Sequence, residues 1–205
     1  MNAPVVETPK LEHAARMDLA TFEMLVEQIP GKWPRYELIE GRVVEAPSPK
    51  PIHNKAALLL GHYLNDFLIP LGLPLVYSEA DLKPLGEMGS SYITPDLAYF
   101  SDERFPGFDD NTYPSNAPDI AVEIVSPSNS EEDLAAKIKL YLKGGSRLVW
   151  IMYLQREDIW VYRPDNTYTI LESDGVLDGG DALPSFKMEL GEFWSVLKRK
   201  KRKAE

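Results

Sequence analysis

The sequence predicts an α/β (α+β) fold: a mixed central β-sheet flanked by helices, with an N-terminal helix and a β-hairpin ahead of it. Three observations carry this. Short β-branched and aromatic runs are interspersed with stretches of helical periodicity. The segment around 119–153 reads strand–helix–strand, a connection that is parallel and right-handed. Finally, "LVWIMYL", Leu148 to Leu154, is an unbroken apolar run of the length of a central strand and far too short to span a bilayer. The 205 residues, 44% hydrophobic with four Trp, suit one ordinary domain with an adequate core.

The elements follow in order. Residues 1–17 read as a disordered N-terminal segment without the apolar stretch of a signal peptide. "DLATFEMLVEQIP" offers Asp18 as a cap and Leu19, Phe22, Leu25 and Val26 at helical spacing. "RYELIEGRVVEAP" reads as a hairpin turning at "EG". In "HNKAALLLGHYLNDFLIPLG" a stripe of Ala56, Leu60, Tyr63, Leu64 and Phe67 predicts a helix ended by Pro70 and Gly72. Three strands are expected next, "LPLVYSEADLK", "YITPDLAYF" and "DIAVEIV". A helix capped by Ser130 then ends before Gly144 and Gly145. "RLVWIMYL", "DIWVYRP" and "TYTILE" read as a strand followed by a meander, and "LGEFWSVLKRKKRK" as a last short helix. Residues 18–197 are thus expected to form a single domain, followed by a basic tail, 198–205.

Charge and composition narrow the function. The formal net charge is −10. The tail "KRKKRKAE" carries six basic residues and one acid, so subtracting its +5 leaves the rest of the chain at −15. A body this acidic does not attract phosphate broadly. The tail could supply that attraction, or be a solvated helix end. The absence of cysteine excludes disulfides and thiolate metal sites and fits a cytoplasmic protein.

Glu123 interrupts the apolar run "IAVEIV", and a carboxylate there is costly unless a cation or donors meet it. Asp119 lies on the same strand but roughly 13 Å away along it, too far to share one ion. Asp96 belongs to the preceding strand, and neighbouring strands lie about 4.8 Å apart, so Asp96 is the expected partner. Asp119 is expected at the start of its strand. Two adjacent carboxylates repel unless a divalent cation lies between them or one keeps its proton. The histidines His13, His53 and His62 lack ligand-like spacing, and His53 and His62 read as helix-surface residues. The natural ion is therefore a hard one, Mg2+, with Mn2+ as a substitute. If the helix after Ser130 packs back along the strand, Lys137 comes about 9 Å back and level with Glu123. Its buried stripe is expected to be Leu134, Ile138, Tyr141 and Leu142, with Lys137 at the edge and Lys139 and Lys143 turned to solvent. Lys137 can reach the sheet or snorkel at the surface.

These residues resemble those of the Uma2 (DUF820) family of endonucleases, a bacterial branch of the restriction-endonuclease-like PD-(D/E)XK superfamily. The resemblance runs from about Asp18 to Trp194. It covers "YELIEGRVVEAPSP" with the following His53, "TPDLAYF", "APDIAVEIVSPS", "KIKLY" and "LVWIMY". It implies a restriction-endonuclease-like fold, with Asp96 and Glu123 as the metal-binding acids. The position of the superfamily lysine holds Val125, and Lys137 on the following helix matches the migrated lysine. Glu37 of "YELIEG" is either an additional acid at the site or a salt-bridged strand glutamate, while Glu40 points to the opposite face. The resemblance further implies Mg2+-dependent hydrolysis of phosphodiesters in DNA, with RNA as the other nucleic acid to test, and a homodimer. The alternative is a non-catalytic nucleic-acid-binding or assembly module on a nuclease fold.

Overall fold

A computed structural model describes residues 16–29, 35–46, 48–85, 90–104, 113–126 and 129–199. The expectations for residues 1–15 and for the tail beyond residue 199 lie outside them. Met17, placed within the disordered segment, is tied down: its N–H donates to the Gly41 carbonyl at 2.7 Å. Helix α1, Leu19–Glu27, starts as expected at Asp18, whose carboxylate accepts from the Thr21 N–H at 2.9 Å. Strands β1, Arg35–Ile39, and β2, Arg42–Ala46, form the hairpin. Glu40 and Gly41 at its turn both take positive φ, 49° and 82°, the backbone of a two-residue turn matching strand twist.

Helix α2, Pro51–Leu68, begins two residues before the segment expected to be helical, which opens at His53, with proline in its first turn. It buries His53, Ala56, Leu60, Leu64 and Leu68, while Tyr63 and Phe67 are half-buried. A short 3-10 turn, Ile69–Leu71, and Gly72 at φ 66° end it.

The next two expected strands each divide. "LPLVYSEADLK" yields β3, Tyr77–Ser78, and the start of β4, Leu82–Leu85. "YITPDLAYF" yields β5, Ser91–Ile93, and β6, Leu97–Tyr99. The reason for the second break is local: Pro95 has no N–H for a ladder, and the chain crosses there from one sheet to another. Then come β7, Ile120–Val125, helix α3, Glu131–Lys143, and strands β8, Leu148–Tyr153, β9, Asp158–Tyr162, and β10, Tyr168–Leu171. A further hairpin, β11, Val176–Gly179, and β12, Leu183–Glu189, was not legible as strands, and α4, Leu190–Lys198, follows it.

The sheets are ordered β2-β1-β5-β4 and β10-β9-β8-β7-β6-β3, with β11-β12 apart. The six-stranded sheet is mixed, because β7 and β8 run parallel while its other pairs are antiparallel. Its two faces are unlike. Ile120, Val122 and Ile124 pack with α2, α4 and the β11–β12 hairpin, around Trp150, Phe186 and Phe193. Ala121 and Val125 face α3 and the small sheet, around Ile39, Ile93, Ile138 and Tyr141. By the two-residue period of a strand, Glu123 belongs to this second face. Among the described residues no helix is long and apolar enough to cross a membrane.

Candidate active site

Glu37 on β1, Glu123 on β7 and Lys137 on α3 meet where the small sheet, the large sheet and α3 converge. All three are buried, at 6%, 9% and 7% exposure. The Lys137 ammonium lies 2.7 Å from Glu123 Oε1 and 2.9 Å from Glu37 Oε1, and donates to the Thr94 carbonyl at 3.2 Å. Glu37 Oε1 also accepts from the Thr94 N–H at 2.8 Å. Thr94 belongs to the link that carries the chain from β5 to β6, so this one hinge of backbone is held by both Glu37 and Lys137.

Lys137 is therefore no snorkelling lysine. The buried side of α3 comprises Lys137, Ile138, Leu140 and Tyr141, with Leu134 and Leu142 only half-buried. The stripe is rotated from the apolar spacing because two carboxylates compensate a buried ammonium. Lys139 and Lys143 face solvent as expected. Glu37 takes the ion-paired place, and Glu40 sits exposed in the hairpin turn.

Asp96 stands immediately before β6. The antiparallel register pairs Leu97 with Val122, which brings Asp96 beside Glu123, and its N–H donates to the Val122 carbonyl at 3.0 Å. Its Oδ2 accepts from the Ile124 N–H at 2.6 Å, capping β7 where β6 has not yet begun. Asp119 lies apart at the far end of β7. It is fully buried, accepts from the Ser101 N–H at 2.8 Å, and has the guanidinium nitrogens of Arg147 and Arg104 at 3.3 and 3.7 Å. It is an anchor for the start of the strand rather than a member of the site.

Two site residues escaped sequence reasoning. His53 is buried, not at the helix surface, and its Nε2 lies 3.3 Å from Asp96 Oδ2. Its buried Nδ1 has no hydrogen-bond partner among the described residues. Its spacing to Ala56, Leu60 and Leu64 already placed it on the apolar stripe, and that signal could have found it. Burial lowers the His53 pKa, but the hydrogen bond and charge of Asp96 outweigh this and leave it raised. The second is Tyr141, whose hydroxyl donates to Glu123 Oε1 at 2.6 Å. Burial, with the charges of Glu123 and Glu37, pushes that phenol well above its usual range. A buried tyrosine hydroxyl seeks a partner, and Tyr141, one helical turn from Lys137 on α3, finds it in Glu123 on β7.

Burial pushes the Glu123 carboxyl up to about 7; Lys137 pulls it back, while Asp96 and Glu37 push it further. Lys137 is held charged despite burial by Glu123 and Glu37. The cluster thus sets three carboxyl groups against one ammonium and carries surplus acid. It opens on a cavity of about 80 Å³ lined by these groups with Arg35, His53 and Glu79. Among the described residues no group of three or more His, Asp or Glu forms a metal cage. The donor set fits a hard divalent ion all the same. Mg2+ is commonly bound through one or two carboxylates and keeps several waters, and the donors already placed on Asp96 and Glu123 fall on one oxygen of each.

A family model described as "Uma2: Putative restriction endonuclease" matches residues 22–191. Among solved structures, the fold is similar to the crystal structure of a "putative nuclease belonging to DUF820" from Anabaena variabilis ATCC 29413. That likeness has a TM-score of 0.71 at 23% identity and covers 83% of this chain and 96% of the other. No curated protein matches the chain.

Proposed function

The chain belongs to the Uma2 family, and from that premise we propose that it is a metal-dependent endonuclease that hydrolyses phosphodiester bonds of DNA at the Asp96–Glu123–Lys137 cluster. The observation that carries this reading is the Lys137 ammonium 2.7 Å from Glu123, beside Asp96 on the neighbouring chain segment, at the wall of an open cavity. Asp96 and Glu123 would hold Mg2+, with Mn2+ as its substitute. When bound, the ion supplies Lewis acidity at the phosphoryl oxygen and a more acidic water.

The chain's own groups do the rest. Lys137 orients the attacking water or stabilises charge on the phosphoryl oxygens. Glu37 and the Thr94 carbonyl hold that ammonium in place. Tyr141 aims Glu123, and His53 with the Ile124 N–H aims Asp96. Arg35, 3.3 Å from Glu79, brings a second cation to the cavity wall for the phosphate. In the reaction the water oxygen joins phosphorus, the bond to the leaving sugar oxygen breaks, and that oxygen takes up a proton. A homodimer would bring two such sites together in one assembly.

Purified protein with Mg2+ or Mn2+ is expected to cleave plasmid or single-stranded DNA, and Asp96→Ala and Glu123→Ala are each expected to abolish cleavage. Metal-dependent cutting that survives both changes would sink the assignment. One observation favours a second reading, a non-catalytic binding or assembly module: Lys137, 2.7 Å from Glu123 and 2.9 Å from Glu37, can serve as a structural ion-pair partner to both acids. Calorimetry separates the two, since that module would take up no more Mg2+ than its Glu123→Ala variant.

A further inference from the structure

A larger groove, of about 440 Å³, adjoins the candidate site and shares His53, Glu79 and Asp96 with it. It runs along α2 beneath β3, and its volume lies within the range of small-molecule sites, about 300–1,000 Å³. Its lining differs from that of the smaller cavity. Among the described residues no lysine or arginine contributes; the ionisable groups are Asp66, Glu79, Asp96 and two histidines, and the apolar surface comes from Leu58, Leu97, Ile69 and Val76. Phosphate is disfavoured there, whereas a flat, uncharged, hydrogen-bonding ring is not. Asn65 spends its oxygen on the Val76 N–H at 3.0 Å, which leaves its amide N–H groups as donors.

Gly61 adds a separate observation. It lies in the middle of an 18-residue helix and lines the groove. Glycine is among the poorest helix formers. Yet a Cβ built there would find Leu97 Cδ2 as its nearest atom, at 3.7 Å, an ordinary contact. Packing does not require glycine at this position; what its absent side chain leaves open is the groove.

We propose that this groove receives an unpaired nucleobase of the substrate strand, adjacent to the phosphate at the Asp96–Glu123–Lys137 cluster, so that the preferred substrate is single-stranded or locally unpaired DNA. The inference rests on the nuclease reading above. A paired base has its Watson–Crick edge occupied and its faces stacked, and cannot enter a groove. Amide and carboxylate groups along the wall suit the amines and carbonyls on a base edge.

The test is fluorescence anisotropy of a labelled short single strand with the full chain in Mg2+, read beside cleavage of the same strand. Gly61→Leu is expected to weaken single-strand binding at least about tenfold, and Gly61→Ala to weaken it less. Neither should lower the melting temperature, since both are better helix formers than glycine. One abasic position in the strand should reproduce the Gly61→Leu loss, with no further loss when the two are combined. Unchanged affinity in Gly61→Leu, while Asp96→Ala still abolishes cleavage, would overturn the base groove and leave the nuclease standing. Loss of binding in Gly61→Leu from a protein that cuts nothing would support the groove and overturn the nuclease. Duplex bound as tightly as single strand overturns the proposal. So does a dimer that Gly61→Leu splits without changing single-strand affinity, because the groove would then seat a second copy of the chain.

Discussion

Glu123 is an acid on a buried sheet face, met by a phenol at 2.6 Å and an ammonium at 2.7 Å. Burial still dominates its protonation and lifts it from its ordinary 4.5 to about 7. The sign of the consequence follows. Between those two values the folded chain binds more protons at Glu123 than the unfolded chain, so this group makes metal-free stability fall as pH rises from about 4.5 to 7. Glu123→Gln keeps an acceptor for Tyr141 and Lys137 but cannot ionise. In metal-free thermal melts it is expected to match the wild type below about pH 4.5 and to exceed it above pH 7. The gain should be about 2–4 °C for each kcal/mol recovered in a domain of this size. A variant that melts lower than wild type at pH 8 would show that the ionised Glu123–Lys137 pair is a net stabiliser.

At the scale of elements, α3 places Lys137 and Tyr141 one turn apart on one face, and its position depends on how it starts. The Ser130 hydroxyl accepts from the Asp133 N–H at 3.0 Å and donates to the Asp133 carboxylate at 2.6 Å. Ser130→Ala is expected to cost about 1 kcal/mol, seen as a lower denaturant midpoint with an unchanged slope. A midpoint equal to wild type would mean that the helix start is held by its packing alone. The helices and their caps were legible because periodicity and capping are local. The strand breaks were harder. Pro95 marked the division of "YITPDLAYF", yet only the pairing of β5 with β1 and of β6 with β7 shows that its halves belong to different sheets. The β11–β12 hairpin has an alternating burial pattern, but "VLDGGDALPSFKME" mixes Gly, Pro and charge and carries no clear strand signal.

For the whole molecule, a divalent ion held at the meeting of two sheets and a helix, as proposed, would make metal binding and folding linked quantities. Mg2+ at a hundredfold above its dissociation constant is expected to add about 2.7 kcal/mol to stability, raising the melting temperature of the wild type but not of Asp96→Asn. An equal rise in both would place the ion elsewhere. From the residues alone it followed that Glu123 needs a partner, that Asp119 is too far along its strand to be it, and that Asp96 and Lys137 come within reach if the strands pair in register and the helix packs back. The distances along one strand or one helix rest on the rise per residue, which the backbone sets without regard to neighbours, and the pairing of β6 with β7 then supplies the register. Only the tertiary structure decided that Lys137 turns inward, that Glu37 shares its charge, and that His53 backs Asp96. Burial and ion pairing depend on which surfaces meet, and Glu37 and Lys137 are a hundred residues apart in the chain.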